Sequence, residues 1–172
     1  MNRVTLGGLA CGLALLLAVA CSSASVGSYA NGPFGNSGQN SGTICTCTTP
    51  GGVVYDGFEE FYDTGGTATV GRIALVHPRH PRLVAAWVAE ANGPVAGIGR
   101  GYPSPGRAWQ RIPGAVVQHT RGQKVISLVV VVKPSGKLGT ASAINMYYEV
   151  GGTRYLRIFT YGLQIQVGRI CH

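Results

Sequence analysis

The chain has 172 residues, of which 45% are hydrophobic and 12% are charged, and 14 Lys and Arg oppose 6 Asp and Glu, for a net charge of +8. This hydrophobic content excludes an intrinsically disordered chain, and the length fits one folded domain. Walker, G-x-S-x-G and H-E-x-x-H motifs are all absent from the sequence. We therefore expect a protein without enzymatic activity and without a cofactor.

The first 20 residues have the three parts of a signal peptide. Arg3 is basic, residues 6–19 are apolar, and small residues precede Cys21. The apolar run is shorter than the roughly 20 residues that a membrane-spanning helix needs, and it contains glycines. We expect residues 1–20 to be removed after export.

The sequence LLLAVAC at residues 15–21, followed by two serines, resembles the lipobox of bacterial lipoproteins. That resemblance implies that Cys21 is acylated, with palmitate among its lipids, and anchors the protein on the extracytoplasmic face of the cell membrane. Residues 18–20, Ala-Val-Ala, also fit the A-x-A pattern of ordinary secretory cleavage, which would release a secreted protein that begins at Cys21. Both alternatives remain open.

Residues 22–43 are rich in Ser, Gly and Asn and carry no charge. This composition predicts a flexible linker over residues 21–43, with a reach of about 25 Å, ahead of a domain at residues 44–172.

Three cysteines, Cys45, Cys47 and Cys171, lie in the predicted domain. Disulfides are typical of exported proteins, and a bond between residues two apart is strained, so we expect Cys171 to pair with Cys45 or Cys47. Lipidation of Cys21 leaves three cysteines, whereas secretion leaves four that could pair completely. Alternatively, the three thiols and His172 could hold Zn or Cu.

The apolar and β-branched runs after residue 53 predict strands and no helix. Residues 58–63 and 67–76 predict a hairpin around residues 64–66, with Val70 and Arg72 on one face and Ile73 and Leu75 on the other. Residues 83–91 predict a strand buried on both faces, and residues 125–132 predict the central strand. Further strands are predicted at residues 95–98, 115–119, 125–133 and 141–150, and at 154–170, which forms one bent strand or two with the bend at Gly162.

Seven to nine strands without helices predict an all-β fold, an immunoglobulin-like β-sandwich. The pattern also resembles exported actinobacterial proteins of unknown function. The shared sequence features are a cysteine before the first strand, G-F-E at residues 57–59, P-R-x-x-R-L-V at residues 78–84 and G-x-x-C at residues 168–171. The resemblance implies the fold and an extracytoplasmic location, and it transfers no functional residue.

The sequence GRGYPSPGRAWQR at residues 99–111 interleaves arginines with aromatic residues, which favours anionic or sugar-bearing ligands. The candidate ligand-binding residues are Arg100, Tyr102, Arg107, Trp109 and Arg111. The alternative is a solvated connection whose Trp109 enters the core. Two other groups are weaker candidates: a metal site at His77, His80 and His119, for which an exposed connection is the favoured interpretation, and calcium ligands at Asp56, Glu59, Glu60 and Asp63, for which an exposed hairpin paired with basic residues is favoured. Residues 97–101 do not fit a phosphate loop, because Tyr102 occupies the position of the last glycine and the prolines that follow forbid the helix that would hold the phosphate.

From residue 64 onward, 13 Lys and Arg face only Glu90 and Glu149. We therefore predict a lipid-anchored, extracytoplasmic binding module with the membrane as one partner and an anionic cell-surface polymer or a protein as another. No specific nucleic acid is predicted, and the sequence does not indicate an oligomeric state. The alternative function is thiol-redox or metal handling by Cys45, Cys47 and Cys171.

Overall fold

The computed structural model describes residues 32–35, 42–62, 66–90, 97–118 and 124–168. The predicted signal peptide, Cys21, most of the predicted linker, Asp63, His119, Cys171 and His172 lie outside these residues. Within the described ranges, no helix is long and apolar enough to cross a membrane.

All regular secondary structure in the described ranges is β-strand, which confirms the predicted all-β class. The number of strands exceeds the predicted seven to nine because short strands border the long ones. The thirteen strands are β1 (Phe34–Gly35), β2 (Gly42–Thr48), β3 (Val54–Tyr62), β4 (Thr67–Val76), β5 (Pro81–Glu90), β6 (Gly97–Arg100), β7 (Trp109–Arg111), β8 (Ala115–Gln118), β9 (Lys124–Pro134), β10 (Leu138–Ala141), β11 (Ala143–Val150), β12 (Thr153–Phe159) and β13 (Tyr161–Val167).

The strands form a β-sandwich from three sheets. The first sheet has the order β1-β3-β9-β5-β7, with β6 also paired to β3. The second sheet, β12-β11-β4-β8, and the third sheet, β10-β13-β2, supply the remaining strands. Buried side chains of all three sheets form one hydrophobic cluster that includes Leu128, Ile144 and Ile165. This shared core holds the sheets together.

Strand β9 lies at the centre of the first sheet, as the sequence predicts. Leu128 and Val130 face the shared core, while Val129 and Val131 point to the opposite face and are also fully buried. Strand β6 pairs with β3 and β7 pairs with β5, so the connection at residues 101–108 must cross the first sheet. Because the core fills one face, this connection covers the other.

The predicted hairpin of residues 58–63 and 67–76 is wrong. Strand β3 pairs with β9, β6 and β1, whereas β4 pairs with β11 and β8 in another sheet. Gly66 thus precedes β4 in a different sheet, because β3 forms its backbone hydrogen bonds with the central strand β9 and not with β4.

A β-bulge at Gly71 overturns the predicted alternation in β4. Val70 pairs with Tyr148 and Arg72 pairs with Tyr147, which leaves Gly71 without a register partner on β11. The extra residue reverses the alternation. Val70 and Ile73 are therefore both buried, and Arg72 is exposed.

The strand predicted at residues 83–91 is confirmed as β5, where Val88 and Ala89 on opposite faces are both buried. The C-terminal run is two strands, which separate at Thr160 and not at the predicted Gly162. Gly162 lies inside β13, where an added Cβ would sit 3.1 Å from Thr43 Oγ1 and 3.3 Å from the Ala141 carbonyl. Gly162 thus permits close packing and does not form a bend.

The folded unit reaches into the segment predicted as linker. Phe34 pairs with Tyr62, is only 4% exposed, and packs edge-on against Tyr148 at 4.7 Å between ring centroids. Gly42 begins β2. The segment has two isolated aromatic residues, Tyr29 and Phe34, among Ser, Gly and Asn, and they show no periodicity, so its composition does not indicate this strand.

Candidate functional site

Two connections lie side by side at one end of the sandwich: the β4–β5 connection and the β9–β10 connection. The backbone N–H groups of Arg79 and Thr140 each donate to the other residue's carbonyl, at 2.8 and 2.9 Å. The His80 carbonyl accepts hydrogen bonds from the Ser135 N–H at 2.6 Å and the Ser135 hydroxyl at 2.7 Å. These hydrogen bonds hold both connections in place.

Basic side chains are concentrated on this end of the molecule, which we call the basic pole. Lys133 is half-buried, and the other members are exposed. The basic pole consists of His77, Arg79, His80, Arg82, Lys133 and Lys137. Among the acidic side chains that the structure describes, Asp56 is in the core, and Glu149 lies near the other end of β11, 3.9 Å from Arg154. Neither carboxylate neutralises the basic pole.

Arg82 and Lys133 are direct cross-strand partners in the first sheet. Like charges placed opposite each other in an antiparallel pair are destabilising, by an amount on the order of 0.2–1 kcal/mol. An anion bound between the two side chains would remove this repulsion. Of the features of the basic pole, this register pair points most directly to an anionic ligand.

Two histidines of the basic pole have left-handed backbone conformations. The φ angle is 44° at His77 and 64° at His80. Few residues other than glycine adopt this region, and functional sites often retain such conformations at a cost of about 1–3 kcal/mol. His77 Nδ1 also lies 3.2 Å from the Ser142 hydroxyl. The connection therefore has a defined shape rather than that of a freely variable loop.

The residues singled out in the sequence 99–111 do not converge on one surface. Arg100 lies on β6, and its Nη2 donates to the Cys47 sulfur at 3.0 Å. Arg111 lies on β7, at the other side of the first sheet. Trp109 is half-buried against Trp87, with 6.2 Å between ring centroids, and Tyr102 is 59% exposed. Arg107 is exposed in the connection between β6 and β7.

Strand β2 carries an exposed Cys45 and a buried Cys47. It runs parallel to β13, where Gln166 is the partner of Cys47 and the Gly168 N–H donates to the Thr48 carbonyl at 2.9 Å. Cys171 is three residues after Gly168, and three residues can span roughly 10 Å, so Cys171 is within reach of β2. The bond from Cys171 to Cys45 or Cys47 stays a prediction, since Cys171 lies outside the described residues.

No group of three His, Cys, Asp or Glu side chains that could hold a metal occurs in the described ranges. The predicted metal sets extend to residues 119, 171 and 172, which fall outside those ranges. Metal binding and thiol-redox chemistry at these residues therefore stay predictions.

Asp56 is a buried carboxyl group, not the exposed hairpin residue that the sequence predicted. It is 3% exposed and lies on the same side of β3 as Val54 and Phe58. Burial raises its pKa from 3.8 to about 6, and the Tyr161 hydroxyl partly opposes this shift by hydrogen bonding. The spacing of Asp56 two residues from Val54 and from Phe58 was the signal that could have placed it in the core.

No protein-family model matches this chain, and no curated protein matches it. The function of the protein is therefore inferred from its own residues.

Proposed function

We propose that this protein is a lipid-anchored, extracytoplasmic binding module that holds an anionic cell-surface polymer at the basic pole. Residues 15–21 support the lipid anchor through their resemblance to a lipobox. The cross-strand pair of Arg82 and Lys133 is the observation that carries the polymer-binding part of the proposal.

The chemistry of the basic pole suits a polymer with repeated phosphate or carboxylate groups. An Arg guanidinium binds such groups with two parallel hydrogen bonds, and a Lys ammonium adds a compact positive charge. Several cations spread over two rigid connections can bind successive anionic groups of one polymer. The proposal needs no catalytic residue, in keeping with the predicted absence of enzymatic activity.

The test compares the double variant Arg82→Gln/Lys133→Gln with the matched control Arg107→Gln/Arg154→Gln, using inorganic polyphosphate as the probe. We expect the basic-pole variant to weaken binding about tenfold or more while its midpoint of thermal unfolding stays equal or rises, because the like-charge repulsion is removed. The control should weaken binding far less.

Equal losses of polyphosphate binding in the two double variants would show that only net charge matters, and the proposal would fail.

Vesicles containing phosphatidylglycerol form a second arm of the binding experiment. If wild-type protein binds these vesicles but not polyphosphate, the partner is the membrane surface and not a polymer. Both interactions weaken with salt, so the arms must share one ionic strength.

A further inference from the structure

A cleft opens on the flank of the sandwich, where β4 of the second sheet faces β5 and the residues that follow β7. Its volume is about 400 Å³, within the range of small-molecule sites. The aliphatic part of its lining includes Ile73, Leu83, Val84, Ile112 and Pro113. Arg72 and Arg111 are the charged residues in the lining.

Both walls of the cleft contain a β-bulge. In β4 the bulge at Gly71 places Arg72 outside the core, and in β5 the register shifts between Leu83 and Ala85. Bulges redirect side chains and recur beside functional sites. Backbone hydrogen bonds fix the segment after β7, because the Ile112 N–H donates to the Ala86 carbonyl at 3.0 Å.

The two arginines reach the cleft from different sheets. The Arg72 guanidinium lies 4.2 Å from the centroid of the Tyr147 ring, a cation–π contact that limits its movement. Arg111 lies on β7 and is the cross-strand partner of Trp87 on β5. Among the residues that the structure describes, no carboxylate lines the cleft to balance these two charges.

We propose that the cleft binds an aliphatic anion, with its carboxylate or phosphate head group at Arg72 and Arg111 and its hydrocarbon chain against the aliphatic wall. The head group would form charge-assisted hydrogen bonds with both guanidinium groups. The chain would bury apolar surface at Leu83, Val84 and Ile112. This site is separate from the basic pole and does not depend on polymer binding there.

Tyr147 provides an internal reporter of the site. A hydrogen bond from Asn145 lowers the Tyr147 pKa most, and the hydrogen bond and positive charge of Arg72 lower it further. An anion bound to Arg72 offsets that positive charge. Binding should therefore raise the Tyr147 pKa, which ultraviolet absorbance of the tyrosinate form measures.

The experiment titrates the full mature chain with decanoate and with decyl phosphate by isothermal calorimetry, using decanol as the uncharged probe. We expect both anions to bind more tightly than decanol. Arg72→Gln and Arg111→Gln should each weaken anion binding about tenfold, the effect of losing one charge-assisted hydrogen-bonding group. The matched control, Arg154→Gln, should leave binding unchanged, and Ala85→Phe should weaken it by filling the cleft.

Decanol binding as tight as that of decanoate would overturn the proposal, as would anion binding that survives both Arg72→Gln and Arg111→Gln. An equal loss in Arg154→Gln would also overturn it. The anion that binds more tightly, decanoate or decyl phosphate, identifies the preferred head group. Polyphosphate binding should persist in Arg72→Gln, so failure at the cleft can be told apart from failure at the basic pole.

Discussion

Asp56 gives the protein a stability that depends on pH. Its folded-state pKa of about 6 exceeds the unfolded value of 3.8, so the folded state binds this proton more tightly. The stabilisation is complete below the unfolded pKa and is lost as the pH rises through about 6. We expect Asp56→Asn to raise the free energy of unfolding at pH 7 by about 2–3 kcal/mol.

Urea denaturation of both proteins across this pH range measures the effect. The difference between variant and wild type should grow as the pH rises from 4 to 7. Glu149→Gln, at an exposed carboxyl, is the matched control and should show no comparable trend. If the difference in the free energy of unfolding shrinks as the pH rises, ionisation of the Asp56 carboxyl does not destabilise the folded state.

Single residues also show where sequence reasoning ends. The apolar run at residues 125–132, interrupted only by Ser127, suffices to place β9 at the centre, because a strand so apolar must be covered on both faces. The bulge at Gly71 could not be predicted, since an extra residue in β4 becomes visible only against the register of β11. The faces of Val70 and Arg72 were misassigned for that reason.

At the scale of elements, the connection at residues 101–108 is a cover for the first sheet. We expect Trp109→Ala to lower the free energy of unfolding by about 2–3 kcal/mol, because the half-buried ring packs on Trp87 beside the buried Val129. Polyphosphate binding by the folded variant should not change.

Tyr102→Ala, within the connection that leads into β7, is the control, and its exposed ring predicts a change of less than about 0.5 kcal/mol. Urea denaturation compares the two variants. If Trp109→Ala leaves stability unchanged and weakens polymer binding, residues 99–111 are a ligand-binding segment. The interpretation of the connection as a cover for the first sheet is then wrong.

Sheet membership was the hardest property of the elements to predict. Most strands could be located from periodicity, yet the hairpin assigned to residues 58–76 joins two different sheets. A short Gly-containing connection suits both a hairpin and a crossing between sheets. The basic pole was missed for a related reason, because Arg82 and Lys133 are 51 residues apart and meet only through pairing of β5 with β9.

For the whole molecule, the prediction concerns its attachment. We expect Cys21 to be the mature N-terminal residue and to carry lipid, because small residues precede it and a Ser-, Gly- and Asn-rich segment follows it. The intact mass of protein from the membrane fraction should exceed that of the unmodified chain starting at Cys21. Cys21→Ala should abolish the added mass.

Wild-type protein recovered from the medium with an unmodified N-terminal cysteine would instead support secretion. Cys45→Ala is the control, since it removes a cysteine from β2 and should leave the added mass in place.

The parallel pairing of β2 with β13 has a mechanical consequence. Seven consecutive register pairs join the two strands, from Gly42 beside Tyr161 to Thr48 beside Val167. A pull that draws the start of β2 and the end of β13 apart acts along both strands in opposite directions. Once the two-residue β1 has detached, such a pull loads the interstrand hydrogen bonds together, in shear, instead of opening them one by one. A module tethered at its N-terminal side and stretched from its C-terminal side would therefore resist tension through this pair of strands.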